Sequence, residues 1–166
     1  MPVRPNSPTI SQEFTRPADT NAYAALDVIS TSTTAPALIT FTGVGRFVGA
    51  NGYLTRLKIQ TNLVSVTPRL RLHLYRVAPT AINDNAPFSG PLHADRAKYI
   101  GYLDSGALAQ EGTGADSTYA ENISDRLQFD CDPADVNLYG ILETLDAFTP
   151  GNAEVFRIEL GVERNW

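Results

Sequence analysis

The chain has 166 residues, 13 Lys and Arg against 18 Asp and Glu for a net charge of −5, two histidines and one cysteine. That length suits one domain, large enough to bury a sufficient core without staples, and a lone cysteine excludes an intrachain disulfide. Two histidines with a single cysteine exclude the common zinc sets, and the acidic balance argues against nucleic acid.

In chain order, the segment from Pro2 to Pro17 carries four prolines among scattered polar residues. It is expected to be an extended arm, taken as residues 1–20, that gains order against a neighbour, with the folded domain over 21–166. The first ten residues lack an apolar signal region, and no run approaches the roughly 18–20 apolar residues of a membrane span, so the expectation is a soluble product made in a cytoplasm. Asn21 to Leu26 has the look of a helical turn, and Ile39 with Phe41 marks a strand. Leu57 and Ile59 alternate with Arg56 and Lys58, and the preceding Asn51-Gly52 predicts a tight hairpin turn back to Arg46–Val48.

Arg69 to Tyr75 alternates Leu70, Leu72 and Leu74 with Arg69, Arg71, His73 and Tyr75, as a half-buried strand requires. Tyr99 to Asp104 is a further strand. Val136 to Leu145 is apolar on both faces around Gly140, which predicts a strand buried on both sides. Phe156, Ile158, Leu160 and Val162 alternate with Arg157, Glu159, Gly161 and Glu163, closing the series. Asp116 to Ile123 could form a helical turn, but no sustained helical stripe exists anywhere. Strands without intervening helices predict an all-β antiparallel sandwich, with a jelly roll as the specific choice. Two excursions, Pro79 to Lys98 and Ser105 to Arg126, are long enough to be contact surfaces.

Charge is unevenly placed. Val44 to Asn83 holds six cations (Arg46, Arg56, Lys58, Arg69, Arg71, Arg76) and no anion, whereas Leu103 to Asp135 holds eight anions against Arg126 alone. One reading docks the basic face of one copy on the acidic loops of another; the other is a solvated mixed surface.

Catalytic signatures are missing. The glycines of Gly43-Val44-Gly45-Arg46-Phe47-Val48-Gly49 have the wrong spacing for a dinucleotide loop and read as a strand corner. No phosphate loop, His-Glu-x-x-His or Gly-x-Ser-x-Gly occurs. His73 sits among arginines and reads as a surface or interface side chain. His93, near Asp84 and Asp95, is the one candidate acid–base group. Asp130, Asp132 and Asp135 lack the Gly and Glu of a calcium loop and read as a solvated turn. Cys131 reads as a small buried side chain. The sequon Asn122-Ile123-Ser124 carries weight only in a secreted chain. No catalytic residue, metal or cofactor is assigned.

Several blocks read together have a familiar cast: Arg16-Pro17-Ala18-Asp19-Thr20-Asn21-Ala22-Tyr23, Asp27-Val28-Ile29, Leu70-Arg71-Leu72-His73-Leu74-Tyr75, Asp84-Asn85-Ala86-Pro87-Phe88, Tyr99-Ile100-Gly101-Tyr102, Leu138-Tyr139-Gly140-Ile141-Leu142 and Phe148-Thr149-Pro150. In these the chain resembles small virion structural proteins of tailed bacteriophages. The resemblance implies a head decoration or cement protein with a jelly-roll or other β-sandwich body. Such a protein would bind the outer capsid surface as a dimer or trimer and bridge major capsid protein subunits; the family offers no catalytic residues. Under this reading Phe14, Arg16, Phe88 and Tyr119 are the expected capsid or subunit contacts, since aromatic and Arg side chains make the usual anchors. A core role for Phe14 or Phe88 is the competing reading. A tail, fibre or baseplate module is the alternative, with Asp84, Asn85 and Phe88 as a sugar-binding loop. An enzyme, such as a jelly-roll hydrolase or a cupin, is the more distant rival.

Overall fold

The computed structural model describes residues 7–63, 67–110, 118–123 and 125–165, with the backbone alone at 118–120. Eleven strands follow in order: β1 (Thr9–Thr15), β2 (Val28–Ile29), β3 (Ile39–Phe41), β4 (Asn51–Thr61), β5 (Arg69–Tyr75), β6 (Tyr99–Ala107), β7 (Ala109–Gln110), β8 (Thr118–Asn122), β9 (Leu127–Asp130), β10 (Leu138–Thr144) and β11 (Val155–Arg164). The one helical element among the described residues is a 3-10 helix over His93–Lys98.

The strands form two antiparallel sheets. The first runs β1-β11-β4-β8-β7, with β9 also paired to β4; the second runs β2-β10-β5-β6, with β3 also paired to β10. Alternation decides what each sheet buries. Leu57 and Ile59 of β4 and Phe156, Ile158, Leu160 and Val162 of β11 line the inner face of the first sheet. Leu70, Leu72 and Leu74 of β5 and Leu138 and Leu142 of β10 line that of the second, and all eleven residues belong to one core. The chain is therefore an all-β sandwich, as the periodicity predicts.

The outer face of the second sheet is covered as well. Val28, Tyr75 and Ile141 form a second apolar cluster, packed by Ile82 and Phe88 of the Pro79–Lys98 excursion. This is why Leu138–Thr144 is buried on both faces. Gly140 keeps the inner side of β10 thin: a Cβ there would lie 3.0 Å from Leu72 Cδ1 and 3.1 Å from Phe41 Cε2.

Several expectations change. Asn51-Gly52 does not turn a hairpin; it opens β4, with Gly52 opposite Arg164 of β11 and Phe129 of β9. The left-handed turn residue lies earlier, at Gly49, with φ of 70°. The segment 1–20 is not a free arm over its described part. Prolines flank Thr9–Thr15 without entering it, and its alternation of Ile10, Gln12 and Phe14 with exposed neighbours lets it pair along β11. Residues 1–6 lie outside the described residues.

Asp116 to Ile123 is a strand rather than a helical turn over Thr118–Asn122, and the second excursion contains β7 and β8. Residues 111–117, including Gly112 and Gly114, lie outside the described residues, as does Ser124 of the sequon. Part of the charge asymmetry, finally, is met within one copy, because β4 lies beside β8 and β9 and β5 lies beside β6. Arg56 pairs with Glu121. Arg71 pairs with Asp104 at 2.7 Å, and Arg76 with Asp130 at 2.6 Å.

Gly52 sits where three strands converge, and a Cβ there would lie 2.2 Å from the Glu163 carbonyl oxygen. Backbone cannot swing aside as a side chain can. Gly52→Ala is expected to cost about 3 kcal/mol, at the upper end of overpacking effects, read as a lowered urea midpoint at unchanged slope.

Candidate functional site

The end of β1 runs into a buried polar cluster. Arg16 follows the strand and its guanidinium is fully enclosed. Its Nε donates to the Tyr23 hydroxyl at 2.9 Å, Nη1 to the carbonyls of Asp19 and Gly151, and Nη2 to Asp19 Oδ1 at 2.7 Å and Asp84 Oδ2 at 3.4 Å. Asp84 Oδ1 in turn accepts from the Tyr23 hydroxyl at 2.7 Å and from the Ser30 backbone N–H at 2.8 Å.

Burial alone would disfavour the charged guanidinium. The hydrogen bonds with Asp19 and Tyr23 outweigh it, and the Arg16 pKa moves up rather than down. The same contact holds the Asp19 carboxyl below the usual carboxylate range. Arg16 was expected as an exposed anchor; at 2% exposure it is instead a clamp joining four chain segments. Asp84 likewise leaves the proposed sugar loop and the His93 constellation, because both of its oxygens are engaged here.

Beside this clamp lies a second buried carboxyl. Arg16 N–H donates to the Glu154 carbonyl at 3.0 Å. The Glu154 side chain is fully enclosed, with Oε2 accepting from Gly151 N–H at 3.0 Å and Oε1 lacking a hydrogen-bond partner. Burial raises its pKa, only partly offset by the Gly151 and Thr61 hydrogen bonds and by Arg16.

A third cluster lies on the outer face of the second sheet. His73 was expected at the surface; the Pro79–Lys98 excursion covers it to 4% exposure. Its Nε2 lies 2.8 Å from Glu143 Oε2 and its Nδ1 3.0 Å from the Tyr99 hydroxyl. Burial raises the Tyr99 pKa to about 12, so this hydroxyl keeps its proton. Phe88 stacks on the imidazole with ring centres 3.9 Å apart. One face of the imidazole is thus covered, and the cluster fastens the excursion to the sheet.

Backbone bonds complete that fastening. Asp84 N–H donates to the Ser32 carbonyl, Asn85 N–H to Val28 and Phe88 N–H to Leu26. His93 is exposed at the start of the 3-10 helix, while Asp95 accepts from Lys98 at 2.9 Å and from Thr80 N–H at 3.1 Å. His93, Asp84 and Asp95 thus form no shared hydrogen-bonded set. Asp130 binds Arg76, Asp132 caps the turn at Ala134, and Asp135 accepts from the Tyr139 hydroxyl. Among the described residues no group of three or more His, Cys, Asp and Glu side chains converges. Cys131 is buried, and burial pushes its thiol up to about 11.

Among the described residues, one flank where the two sheets part is open. A cleft of about 190 Å³ lies between β1 and β3, lined by Gln12, Glu13, Phe14, Leu38, Ile39 and Thr40 among others. Phe14 is half-buried there and stacks on Phe156 at 5.7 Å. Of the four expected contacts, Phe14 lines this cleft, Arg16 is interior and Phe88 caps His73. Tyr119 pairs with Gln60 through β8, and its side chain lies outside the described residues. Sequence reading missed Tyr23, Glu143 and Glu154. The available signal was the presence of polar residues at positions that alternation or chain reversal would carry inside.

No protein-family model matches the chain, and no curated protein matches it. Among solved structures it is similar to a bacterial lipoprotein from Bacteroides thetaiotaomicron at 11% identity, covering 95% of this chain and 80% of that one, with a TM-score of 0.33. That score is too low to bear on fold or function.

Arg16→Ala would strand the Asp84 carboxylate in the interior, and the expected loss is about 3–5 kcal/mol by chemical denaturation. For Glu154 the sign is opposite to that of a paired carboxylate. Its folded pKa is raised, so its stabilising contribution is complete below the unfolded value of about 4.3 and is lost as pH rises through the folded value. Glu154→Gln should therefore lose less stability than the parent between pH 4 and pH 8; parallel melting curves across that range would refute the assignment.

Proposed function

We propose that this chain is a bacteriophage virion structural protein: a head decoration or cement protein that binds the outer capsid surface and bridges major capsid protein subunits. The observation that carries this reading is how the interior polar groups are used. Arg16, Asp84 and Tyr23, and separately His73, Glu143 and Tyr99, lock loops onto the sandwich. The product is a rigid body whose open features are an edge strand and a cleft, which suits adhesion better than turnover.

The strand order lends further support. The sheets β1-β11-β4-β8 and β2-β10-β5-β6 interleave distant strands as a two-Greek-key jelly roll would, an architecture common in viral coat proteins. The sequence blocks resembling small phage virion proteins point the same way. A tail or baseplate role with sugar binding is weaker, because Asp84 is tied to Arg16 and Phe88 lies flat on His73. Both the capsid-surface location and synthesis in the host cytoplasm belong to this proposal.

Copy number decides between head and tail. Quantitative immunolabelling of purified particles should count hundreds of copies on the shell. A handful at one vertex would move the protein to the tail, and none on the particle would remove it from the virion.

A further inference from the structure

A sandwich has four sheet edges, and here the described ones differ sharply. The second sheet ends on one side in β2 and β3, two and three residues long, and on the other in β6, whose register with β5 shifts twice. The first sheet ends on one side in the two-residue β7 and, beside the start of β4, in the four-residue β9. Short, irregular edges are how folds avoid pairing with other chains. The remaining edge, β1, has seven residues, no register break and one charge, Glu13.

Its hydrogen-bonding sides can be assigned. Val162 N–H donates to the Pro8 carbonyl and Arg16 N–H to the Glu154 carbonyl. Both pairs continue the register that sets Ile10 against Leu160, Gln12 against Ile158 and Phe14 against Phe156. In an antiparallel ladder, every second residue faces its neighbour with both polar groups. The even-numbered residues therefore bond to β11, and Thr9, Ser11, Glu13 and Thr15 direct N–H and C=O outward. Pro17, lacking an N–H, ends that outward row.

The sequence of this edge is symmetric in character: Thr9, Ile10, Ser11, Gln12, Glu13, Phe14, Thr15. About Gln12, threonine matches threonine, an apolar residue matches an apolar residue and a polar residue matches a polar residue. A two-fold axis relating antiparallel strands demands this of a self-pairing edge. We infer that β1 is a homodimerisation edge, pairing antiparallel with β1 of a second copy about an axis at Gln12.

In that register Thr9 faces the second copy's Thr15 and Ser11 faces its Glu13, using all the outward groups. Ile10 faces its Phe14, and Gln12 faces its own counterpart at a non-hydrogen-bonded position. Neither Glu13 meets a like charge, which would oppose pairing. Ile10 and Phe14 are half-buried on the inner side, so the apolar pairs extend the core across the axis and bring the two β1 clefts side by side. The inference is independent of a virion role: a dimer absent from any particle would leave it intact.

The test uses the full chain in solution. Sedimentation velocity should show a concentration-dependent dimer. Ser11→Pro deletes an outward N–H without touching the β11 ladder, a position where an edge strand accepts proline, and should raise the dissociation constant tenfold or more through two symmetric lost bonds. Gln12→Cys should form a covalent dimer on mild oxidation, since facing non-hydrogen-bonded residues lie within disulfide reach. Ser11→Cys, offset from its counterpart, should not. The native Cys131 is buried and leaves the readout clean. A chain that stays monomeric to roughly 1 mM overturns the inference, as does a dimer in which Gln12→Cys fails to cross-link. Should Ser11→Pro fail to fold, the cysteine pair decides alone.

Discussion

The fold turns on one enclosed cation. Arg16 leaves the edge strand β1 and its guanidinium reaches the Asp19 turn, Tyr23, the Gly151 carbonyl and Asp84. Asp84 and Gly151 lie 68 and 135 residues from Arg16 along the chain. A buried charge is tolerable only where its donors find acceptors, and removing one partner exposes the full cost of burying the other. The geometry therefore fixes the end of β1, the approach to β2 and the start of the 84–88 segment together.

From that clamp the covering of the second sheet follows. Asp84, held by Arg16, begins a stretch that is laced to residues 26–32 by backbone hydrogen bonds and delivers Phe88 onto His73. The His73–Glu143–Tyr99 set then anchors the excursion from beneath. Two buried polar clusters, each satisfied, turn a long loop into a layer of the protein. Glu154 is the exception, a carboxyl held in the interior with one oxygen unsatisfied. Buried polar groups of this kind specify one arrangement at some expense of stability.

Much of this was legible in the sequence where a single rule governs. Period-two alternation located β5 and β11 and identified their inward residues, because a one-residue slip would invert each face, whereas β10 showed as a run apolar on both faces. Alternation could not reveal that the outer face was also covered, so His73 was read as a surface residue. Asn51-Gly52 has the composition of a turn, yet glycine is needed there for the close approach of β11. Local composition cannot separate these uses. Arg16 was singled out for its chemistry but assigned outward, since its partner Asp84 lies 68 residues away. The strand character of Thr9–Thr15 was obscured by the prolines around it, which bound the strand rather than break it.

The pairing of Arg56, Arg71 and Arg76 with Glu121, Asp104 and Asp130 has a consequence at longer range. Segments that look like opposite poles along the chain are stitched together in space, so their fields largely cancel beyond a few ångströms. A molecule approaching this region would meet little electrostatic guidance from these paired charges. Encounter rates should accordingly respond weakly to ionic strength, unlike those of proteins that draw their partners in by separated charge.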